Sequence, residues 1–271
     1  HIQSPAQTRA LTAELRALVG RPEAPIMIDQ EGGGGQRLKP PLWRAAPPAE
    51  RFGQRAAQDL AAARRAVFLN HRLLAADLLD LGIDVDCAPV VDLRLPGAHA
   101  VIGDRAFGGD PILVADLGRA AMEGLLAGGV QPIVKHIPGH GRATVDSHHA
   151  LPRCATPLAE LEASDFLAFR LLRDAPWAMT AHVVFEALDP TQSATTSPRV
   201  IAEAIRGHIG FDGLLISDDL LMRALADPAG DNARDAVGEA ARAALAAGCD
   251  LLLHCNGTLA QKQAVAPRGP P

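Results

Sequence analysis

The sequence has 271 residues, of which 48% are hydrophobic and 21% are charged, with a formal net charge of −5. This balance is ordinary for a globular chain, and the absence of runs of like charge argues against a nucleic-acid-binding surface or binding to an acidic membrane surface. No stretch of about 18 uncharged apolar residues occurs, which argues against a membrane span. The length permits one large domain or two small ones, and α/β barrels of this size are often single domains.

The four cysteines are scattered along the chain, at Cys87, Cys154, Cys249 and Cys255. Cysteines spaced this widely are typical of reduced thiols in a cytosolic protein. The first twenty residues contain no continuous apolar segment after their charges, so they do not resemble a signal peptide. We therefore expect a cytoplasmic protein.

Apolar segments and helical patterns alternate along the chain. Helical spacing of apolar residues predicts helices over 5–19, 51–81, 111–127, 157–172, 201–209 and 233–247. Short buried-strand patterns predict strands over 25–28, 83–91, 132–136, 177–183, 214–217 and 250–254. The tail from about 261 to 271 ends in a Pro- and Gly-rich sequence and is expected to be frayed. The alternation indicates βαβ units with a parallel sheet, in a single domain over 1–271.

Polar residues gather at the C-terminal end of every predicted strand. They are Asp29, Asp92, Lys135 with His136, His182, Asp218, and Cys255 with Asn256. This asymmetry is typical of the active face of an α/β barrel. A closed barrel of this type needs eight strands, so either two strands are missing or the sheet is open.

Four glycines, Gly32 to Gly35, follow the first predicted strand. A phosphate-binding loop would require a helix directly behind the glycines. Pro40 and Pro41 make such a helix unfavourable. The glycines are expected either to let the backbone approach a ligand closely or to provide flexibility only.

The segment VKHIPGHGRATVDSHHALP, residues 134–152, contains four of the ten histidines and passes from a strand into a Gly-rich loop. Asp146 and His148 are two positions apart, so in an extended loop both side chains leave the same side of the backbone. This spacing suggests a general acid/base with its orienting carboxylate, because histidine titrates near neutrality and a carboxylate can fix its tautomer. Histidine clusters can also be structural or bind metal. Zinc would need a second cluster at ligand spacing, which is absent, so metal is the weaker interpretation.

Asp218 ends a predicted strand in the sequence LLISDDL. Hydrolysis of a glycosidic bond needs a nucleophile or base on one side of the bond and an acid on the other, and Asp218 with His148 could supply both. Tyrosine is absent from the chain, which removes the tyrosine-nucleophile variant. Adjacent strand residues face opposite ways, so only one of Asp218 and Asp219 is expected to face the pocket. For Asp219 we consider instead the N-cap of a helix beginning at Leu220.

Three cations, Arg37, Arg105 and Lys135, could bind hydroxyl or carboxylate groups of a ligand, although isolated cations are more often surface residues. Asp29 is suited to a pair of sugar hydroxyls, with a helix cap as the alternative interpretation.

Six segments resemble, in order, the motifs of glycoside hydrolase family 3 β-N-acetylhexosaminidases of the bacterial NagZ type. They are IDQEGG at 28–33, DVDCAPVVDL at 84–93, IGDRAFGGDP at 102–111, KHIPGHGRATVDSHHALP at 135–152, MTAHVVF at 179–185 and GFDGLLISDDLLM at 210–222. Together they cover nearly the whole chain. The resemblance implies a TIM-type (β/α)8 barrel that removes terminal β-linked N-acetylglucosamine with retention of configuration. In Gram-negative bacteria such enzymes act in the cytoplasm on N-acetylglucosaminyl-1,6-anhydro-N-acetylmuramic acid fragments during cell-wall recycling.

Matching motif by motif, the resemblance implies that Asp218 is the nucleophile, His148 the acid/base and Asp146 its partner. It likewise implies that the sugar is held by Asp29, Arg37, Arg105, Lys135 and His136. No metal or organic cofactor is implied. The expected ligand is a small carbohydrate, with no nucleic acid or membrane partner, and a complete barrel is expected to be a monomer.

The chain departs from the family pattern in two places. Family members usually carry Arg-Val where this chain has Gly34 and Gly35. They also carry about two further strand-helix units before the point that aligns with His1, so we expect an open seam with unpaired strand edges and low stability.

Alternatives remain open from the sequence. One is a family 3 β-glucosidase or glycoside phosphorylase, and another is an inactive sugar-binding remnant. A metal-dependent hydrolase ranks third, since the chain lacks a second ligand cluster.

Overall fold

The computed structural model describes residues 2–97, 101–143, 151–221 and 233–266. Within these ranges the strands are β1 (Met27–Ile28), β2 (Val85–Asp86), β3 (Gln131–Pro132), β4 (Val134–Ile137), β5 (Arg153–Cys154), β6 (Trp177–Thr180), β7 (Val184–Phe185), β8 (Leu214–Asp219) and β9 (Leu251–Leu253). They form sheets in the orders β1-β2-β3, β4-β6-β8-β9 and β5-β7, and every pairing between these strands is parallel.

The first two sheets continue into one another, because β3 and β4 are separated only by Ile133. Beyond that residue Lys135 forms a parallel bridge with Val90, and the Val91 N–H donates to the Lys135 carbonyl at 2.7 Å. The strands therefore lie side by side in the order β1, β2, β3/β4, β6, β8 and β9, where β3 and β4 count as one strand region. These six strand regions match the six that the apolar pattern predicts, which confirms the parallel α/β architecture.

The sheet curves around an apolar interior to which strands from both ends of this order contribute. The interior cluster contains Met27, Val85, Cys87, Ile133, Met179, Trp177, Leu214, Ile216, Leu251 and Leu253. Since β1 and β9 lie at opposite ends of the strand order, their meeting in one cluster requires a curved sheet. In β8 the side chains of Leu214 and Ile216 face this interior, while Leu215 packs into the outer layer against the helices. The expectation that about two strand-helix units of an eight-stranded barrel are missing, which would leave an open seam, stays a prediction.

The helices cover the outer face of the sheet. They are α1 (Pro5–Val19), α2 (Ala49–Ala56), α3 (Leu60–Leu79), α4 (Pro111–Ala127), α5 (Leu158–Ala163), α6 (Asp165–Arg170), a π-helix (Val200–Ile209), α7 (Ala233–Ala247) and α8 (Leu259–Val265). The predicted bounds of α1, α4 and α7 are confirmed. Local sequence explains two of these starts, since Ser4 and Asp110 each cap a helix whose first residue is proline.

Two predicted helices are each divided in the structure. The segment predicted as one helix over 51–81 breaks after α2, because the Asp59 carboxylate accepts the Ala62 N–H at 2.9 Å and starts α3. The segment predicted over 157–172 breaks at Ser164, whose hydroxyl donates to the Glu160 carbonyl. Side chains that compete for backbone hydrogen bonds interrupt a helix without changing its apolar spacing. The pattern therefore predicts the helical segments but not these breaks.

The C-terminal segment is ordered further than the sequence suggests. Helix α8 runs over Leu259–Val265, so the residues from 261 to 265 are helical where a frayed tail was expected. Its start is fixed by a capping box, in which Thr258 and Gln261 exchange side-chain and backbone hydrogen bonds. Among the described residues, no helix combines the length and the apolar character that crossing a membrane requires.

A buried histidine in α3 predicts how stability depends on pH. The ring Nδ1 of His71 lies 2.8 Å from the Val67 carbonyl, and burial lowers the pKa of His71 from 6.5 to about 4. The unfolded chain therefore binds a proton below pH 6.5 that the folded protein does not bind, so the free energy of unfolding falls as pH drops from 6.5 toward 4. Over this range the protonation of His71 in the unfolded chain lowers the free energy of unfolding by about 3 kcal/mol in total. Urea unfolding between pH 7 and 4.5 should show a shallower decline for His71→Gln than for the parent, and equal slopes would contradict this assignment.

Candidate active site

The C-terminal ends of the strands surround a cavity of about 300 Å³. This volume is at the lower end of the range typical of small-molecule sites. The walls are formed by residues from the loops after β1 and β4, from the end of β8 and from the segment after β9. Apolar side chains contribute part of the lining, at Val101, Ile102, Met179 and Leu253.

Six of the eight residues that the sequence predicts for the site line this cavity. They are Asp29, Arg37, Arg105, Lys135, His136 and Asp218. The other two, Asp146 and His148, lie outside the described residues. Their acid/base role therefore stays a prediction.

The Lys135 side chain is 2% exposed and lies between two carboxylates. Its Nζ is 2.8 Å from Asp29 Oδ1 and 2.6 Å from Glu31 Oε1. Burial alone would lower the pKa of Lys135, but the negative charges of Glu31 and Asp29 raise it above its usual value. Lys135 is therefore an ammonium group at neutral pH, with its position fixed by two ionic hydrogen bonds.

Glu31 connects Lys135 to Arg105 and was not among the predicted site residues. Its carboxylate accepts from Arg105 Nε and Nη2, each at 2.8 Å, in a bidentate pair. Burial would raise the pKa of Glu31, but Lys135 and Arg105 outweigh it and hold that pKa far below the usual value. Glu31 is two positions after Asp29, so the same-face spacing that was applied to Asp146 and His148 would have identified it.

Asp29 is the more exposed of the two carboxylates beside Lys135, with 35% of its side chain accessible against 8% for Glu31. Burial would raise the pKa of Asp29, yet Lys135 lowers it overall, so Asp29 is ionised. Arg37 Nη2 lies 3.4 Å from Asp29 Oδ2 and its side chain is 55% exposed. Asp29 and Arg37 thus present an acceptor and donors to the cavity.

Both Asp218 and Asp219 line the cavity, so the expectation that only one would face it is wrong. The register between β8 and β9 shifts between Ile216 and Asp219, which breaks the regular alternation of side chains at the end of the strand. Asp219 accepts the N–H groups of Leu221 at 3.2 Å and Cys255 at 3.1 Å. Leu220 and Leu221 lie in a turn, and the residues that follow lie outside the described part of the chain, so the N-cap interpretation of Asp219 stays a prediction.

Asp218 has an ionised carboxylate in a partly buried position. Burial would raise its pKa, but the positive charges that the nearby imidazoles of His182 and His136 carry when protonated, together with the Asp219 N–H, lower it overall. The Asp219 N–H donates to Asp218 Oδ1 at 2.7 Å, and His136 Nε2 lies 4.0 Å from Oδ2. An ionised carboxylate held at a cavity wall is the form that a nucleophile requires.

His182 supports the backbone next to Asp218 and was predicted only as a strand-end residue. Its Nε2 donates to the Asp219 carbonyl at 3.0 Å, which leaves Nδ1 to accept from the Thr195 hydroxyl at 2.7 Å. Burial lowers the pKa of His182, in agreement with this neutral tautomer. The imidazole therefore fixes the chain immediately after Asp218.

Asp92 orients His136 and the loop that follows β4. Its carboxylate accepts from His136 Nδ1 at 2.7 Å and from the His140 backbone N–H at 2.6 Å. With Nδ1 engaged by Asp92, the opposite ring nitrogen of His136 faces Asp218. Over the described ranges, no group of three or more His, Cys, Asp or Glu side chains is arranged to hold a metal ion.

The arrangement suits a polyhydroxylated ligand. Asp29, Lys135, Arg105 and Arg37 provide paired acceptors and donors along one wall, and Asp218 provides an ionised carboxylate at the cavity. Charged groups of this kind bind vicinal hydroxyls through charge-assisted hydrogen bonds.

Comparisons with known proteins agree with this arrangement. Residues 1–267 match the model of the glycosyl hydrolase family 3 N-terminal domain. A β-hexosaminidase of Alkalilimnicola ehrlichii is 42% identical over 261 residues, which span 94% of this chain and 71% of the relative. NagZ from Neisseria gonorrhoeae, solved in complex with N-trifluoroacetyl-D-glucosamine, gives a TM-score of 0.83 at 37% identity, covering 98% of this chain and 78% of that one. A family 3 β-N-acetylglucosaminidase from Paenibacillus gives a TM-score of 0.86 at 35% identity, covering 98% of this chain and 49% of that one.

The match to the domain model and the similarity to these relatives extend over almost the whole chain, including the strand ends that form the cavity. The chain thus has the TIM-barrel-like α/β fold of that domain. It belongs to glycosyl hydrolase family 3 and is a glycoside hydrolase.

Proposed function

We propose that the chain is a retaining exo-β-N-acetylglucosaminidase that removes terminal β-linked N-acetylglucosamine. The observation that carries the proposal is the ionised Asp218 carboxylate at the wall of a cavity whose neighbouring wall is lined by Asp29, Lys135 and Arg105. Relatives named β-hexosaminidase and the complex of NagZ with an N-acylated glucosamine support this choice of sugar.

In this mechanism the Asp218 carboxylate attacks the anomeric carbon while His148 gives a proton to the leaving oxygen. The glycosyl-enzyme bond then breaks as His148 takes a proton from an attacking water, so configuration is retained. Asp146 orients the imidazole of His148. Asp29, Arg37, Arg105, Lys135 and His136 hold the sugar hydroxyls.

The proposed natural substrate is the N-acetylglucosaminyl-1,6-anhydro-N-acetylmuramic acid released during peptidoglycan recycling. A cytoplasmic location fits this substrate, and it fits the four cysteines, which are all free thiols. We propose that residues 1–271 form a single catalytic domain that requires no cofactor.

The proposal is tested first by substrate choice. The chain should hydrolyse an aryl β-N-acetylglucosaminide without added phosphate and should release the β-anomer first, as detected by proton NMR. Preference for a β-glucoside, or turnover only with phosphate, would instead support a β-glucosidase or a glycoside phosphorylase. Binding of N-acetylglucosamine without turnover would support a sugar-binding role.

The acid/base assignment predicts a leaving-group effect. His148→Ala should slow the cleavage of substrates with a poor leaving group by about 10²- to 10⁴-fold, because these leaving groups depart only after protonation. Cleavage of a nitrophenyl substrate, whose leaving group is a weak base, should be slowed less by the same substitution. His149→Ala, at the adjacent histidine, is the matched control and should keep parental rates. Equal losses for both leaving groups in His148→Ala would count against a proton-donor role.

A further inference from the structure

Glu31 uses its hydrogen-bonding capacity on two cations. Its Oε1 lies 2.6 Å from Lys135 Nζ and 2.8 Å from Arg105 Nη2, and its Oε2 accepts from Arg105 Nε at 2.8 Å. The Glu31 side chain is only 8% exposed, so its carboxylate is directed at these cations more than at the cavity.

Lys135 and Arg105 would repel each other without this carboxylate between them. The positive charge of Arg105 acts to lower the pKa of Lys135, and Glu31 more than reverses that effect. Both cations line the cavity. Their separation and direction toward a ligand therefore depend on where the Glu31 carboxylate lies.

The position of the Glu31 side chain is in turn set by Gly35. The Glu31 N–H donates to the Gly35 carbonyl at 3.1 Å, which holds the two residues against each other. A Cβ added at Gly35 would lie 2.5 Å from Glu31 Oε2, 2.8 Å from its Cδ and 3.0 Å from its Cβ. The carboxylate cannot move away from such a methyl group without lengthening its bonds to Arg105 or Lys135.

Gly34 provides an internal comparison. It lines the same cavity, but a Cβ added there meets no heavy atom within 4 Å. Neither Gly34 nor Gly35 has a positive φ, so an alanine at either position brings no backbone strain. Gly34→Ala and Gly35→Ala thus differ chiefly in whether the new methyl group contacts Glu31.

The geometry points to Glu31, packed against Gly35, as a positioning residue that holds Lys135 and Arg105 as one pair of donors for the sugar hydroxyls. This assignment rests on the proposed function for the identity of the ligand. In the backbone geometry of this chain Gly35 lies so close to the Glu31 carboxylate that a methyl group there would displace it, and with it both donors.

The test compares Gly35→Ala, Gly34→Ala and Glu31→Gln, with Glu31→Asp as the conservative variant. Nitrogen-15 NMR should show an Arg105 Nε–H signal that exchanges slowly with solvent in the parent and in Gly34→Ala. The signal is assigned by its disappearance in Arg105→Lys. In Gly35→Ala and Glu31→Gln this signal should exchange rapidly. KM for an aryl β-N-acetylglucosaminide should rise about tenfold or more in the same two variants, with a smaller change in kcat, because ground-state binding is lost. Glu31→Asp should restore part of the affinity.

Thermal unfolding and circular dichroism establish which variants are folded, and Glu31→Gln, which is nearly isosteric, carries the test if Gly35→Ala does not fold. The assignment is overturned if Gly35→Ala matches Gly34→Ala in both Arg105 exchange and KM, or if Glu31→Gln keeps parental values. If the parent neither binds nor cleaves the sugar, the proposed function fails, while the Arg105 signal still decides whether Glu31 and Gly35 hold the arginine.

Discussion

Asp218→Asn is expected to lower the hydrolysis of an aryl β-N-acetylglucosaminide by about 10⁴-fold or more, because the amide cannot form the glycosyl-enzyme bond. The structure favours Asp218 for this role on electrostatic grounds. Its pKa is lowered despite burial, so the carboxylate is ionised at the pH of the assay. The neutral His182 holds the following carbonyl, so the nucleophile also has a fixed backbone.

Asp219→Asn is the informative comparison, since both carboxylates line the cavity. Asp219 already accepts the N–H groups of Leu221 and Cys255, so its replacement should perturb the local turn and cost much less turnover. Chemical rescue separates the two roles further. Azide added to Asp218→Ala should restore cleavage of an activated substrate and give the α-glycosyl azide, because the anion attacks from the face that the carboxylate has left. Rescue of Asp219→Ala instead of Asp218→Ala would reverse the assignment.

The fold and much of the cavity follow from the position of polar residues at strand ends. Asp29, Lys135 and Asp218 could be predicted because each follows an apolar run whose C-terminal end, in a parallel α/β sheet, faces the active side. Arg37 and Arg105 lie on loops without such periodicity, and it was their resemblance to family motifs that indicated their role.

What the sequence did not predict depends on geometry that periodicity does not encode. The irregular register at the end of β8 brings Asp219 to the cavity together with Asp218, against the rule of alternation. Glu31 was missed because its importance lies in three long-range bonds to Lys135 and Arg105, residues that are far from it in sequence. The spacing from Asp29 could have indicated that Glu31 faces the cavity, but its partners become evident only once the strands are placed side by side.

Lys135→Met is expected to have the largest effect on stability, about 3–5 kcal/mol, because it removes a buried cation from between two carboxylates. Glu31 retains Arg105, but Asp29 retains only the exposed Arg37 at 3.4 Å. Lys39→Met removes a lysine at an exposed position and should change the free energy of unfolding by less than about 0.5 kcal/mol. Urea unfolding at neutral pH measures both variants.

Two further results would attribute this loss to charge and not to side-chain packing. Adding Asp29→Asn to Lys135→Met should recover part of the stability, because it removes a carboxylate that has lost its main partner. The pKa values of Asp29 and Glu31 are lowered in the folded parent, so these groups contribute stability above their unfolded pKa values, and this contribution is lost as pH falls through the folded values. Lys135→Met lacks much of that contribution. The difference in free energy of unfolding between the parent and Lys135→Met should therefore be largest near neutral pH and should narrow below about pH 4. A difference in the free energy of unfolding that stays constant with pH, together with no recovery in the double variant, would show that the loss does not come from the charge of Lys135.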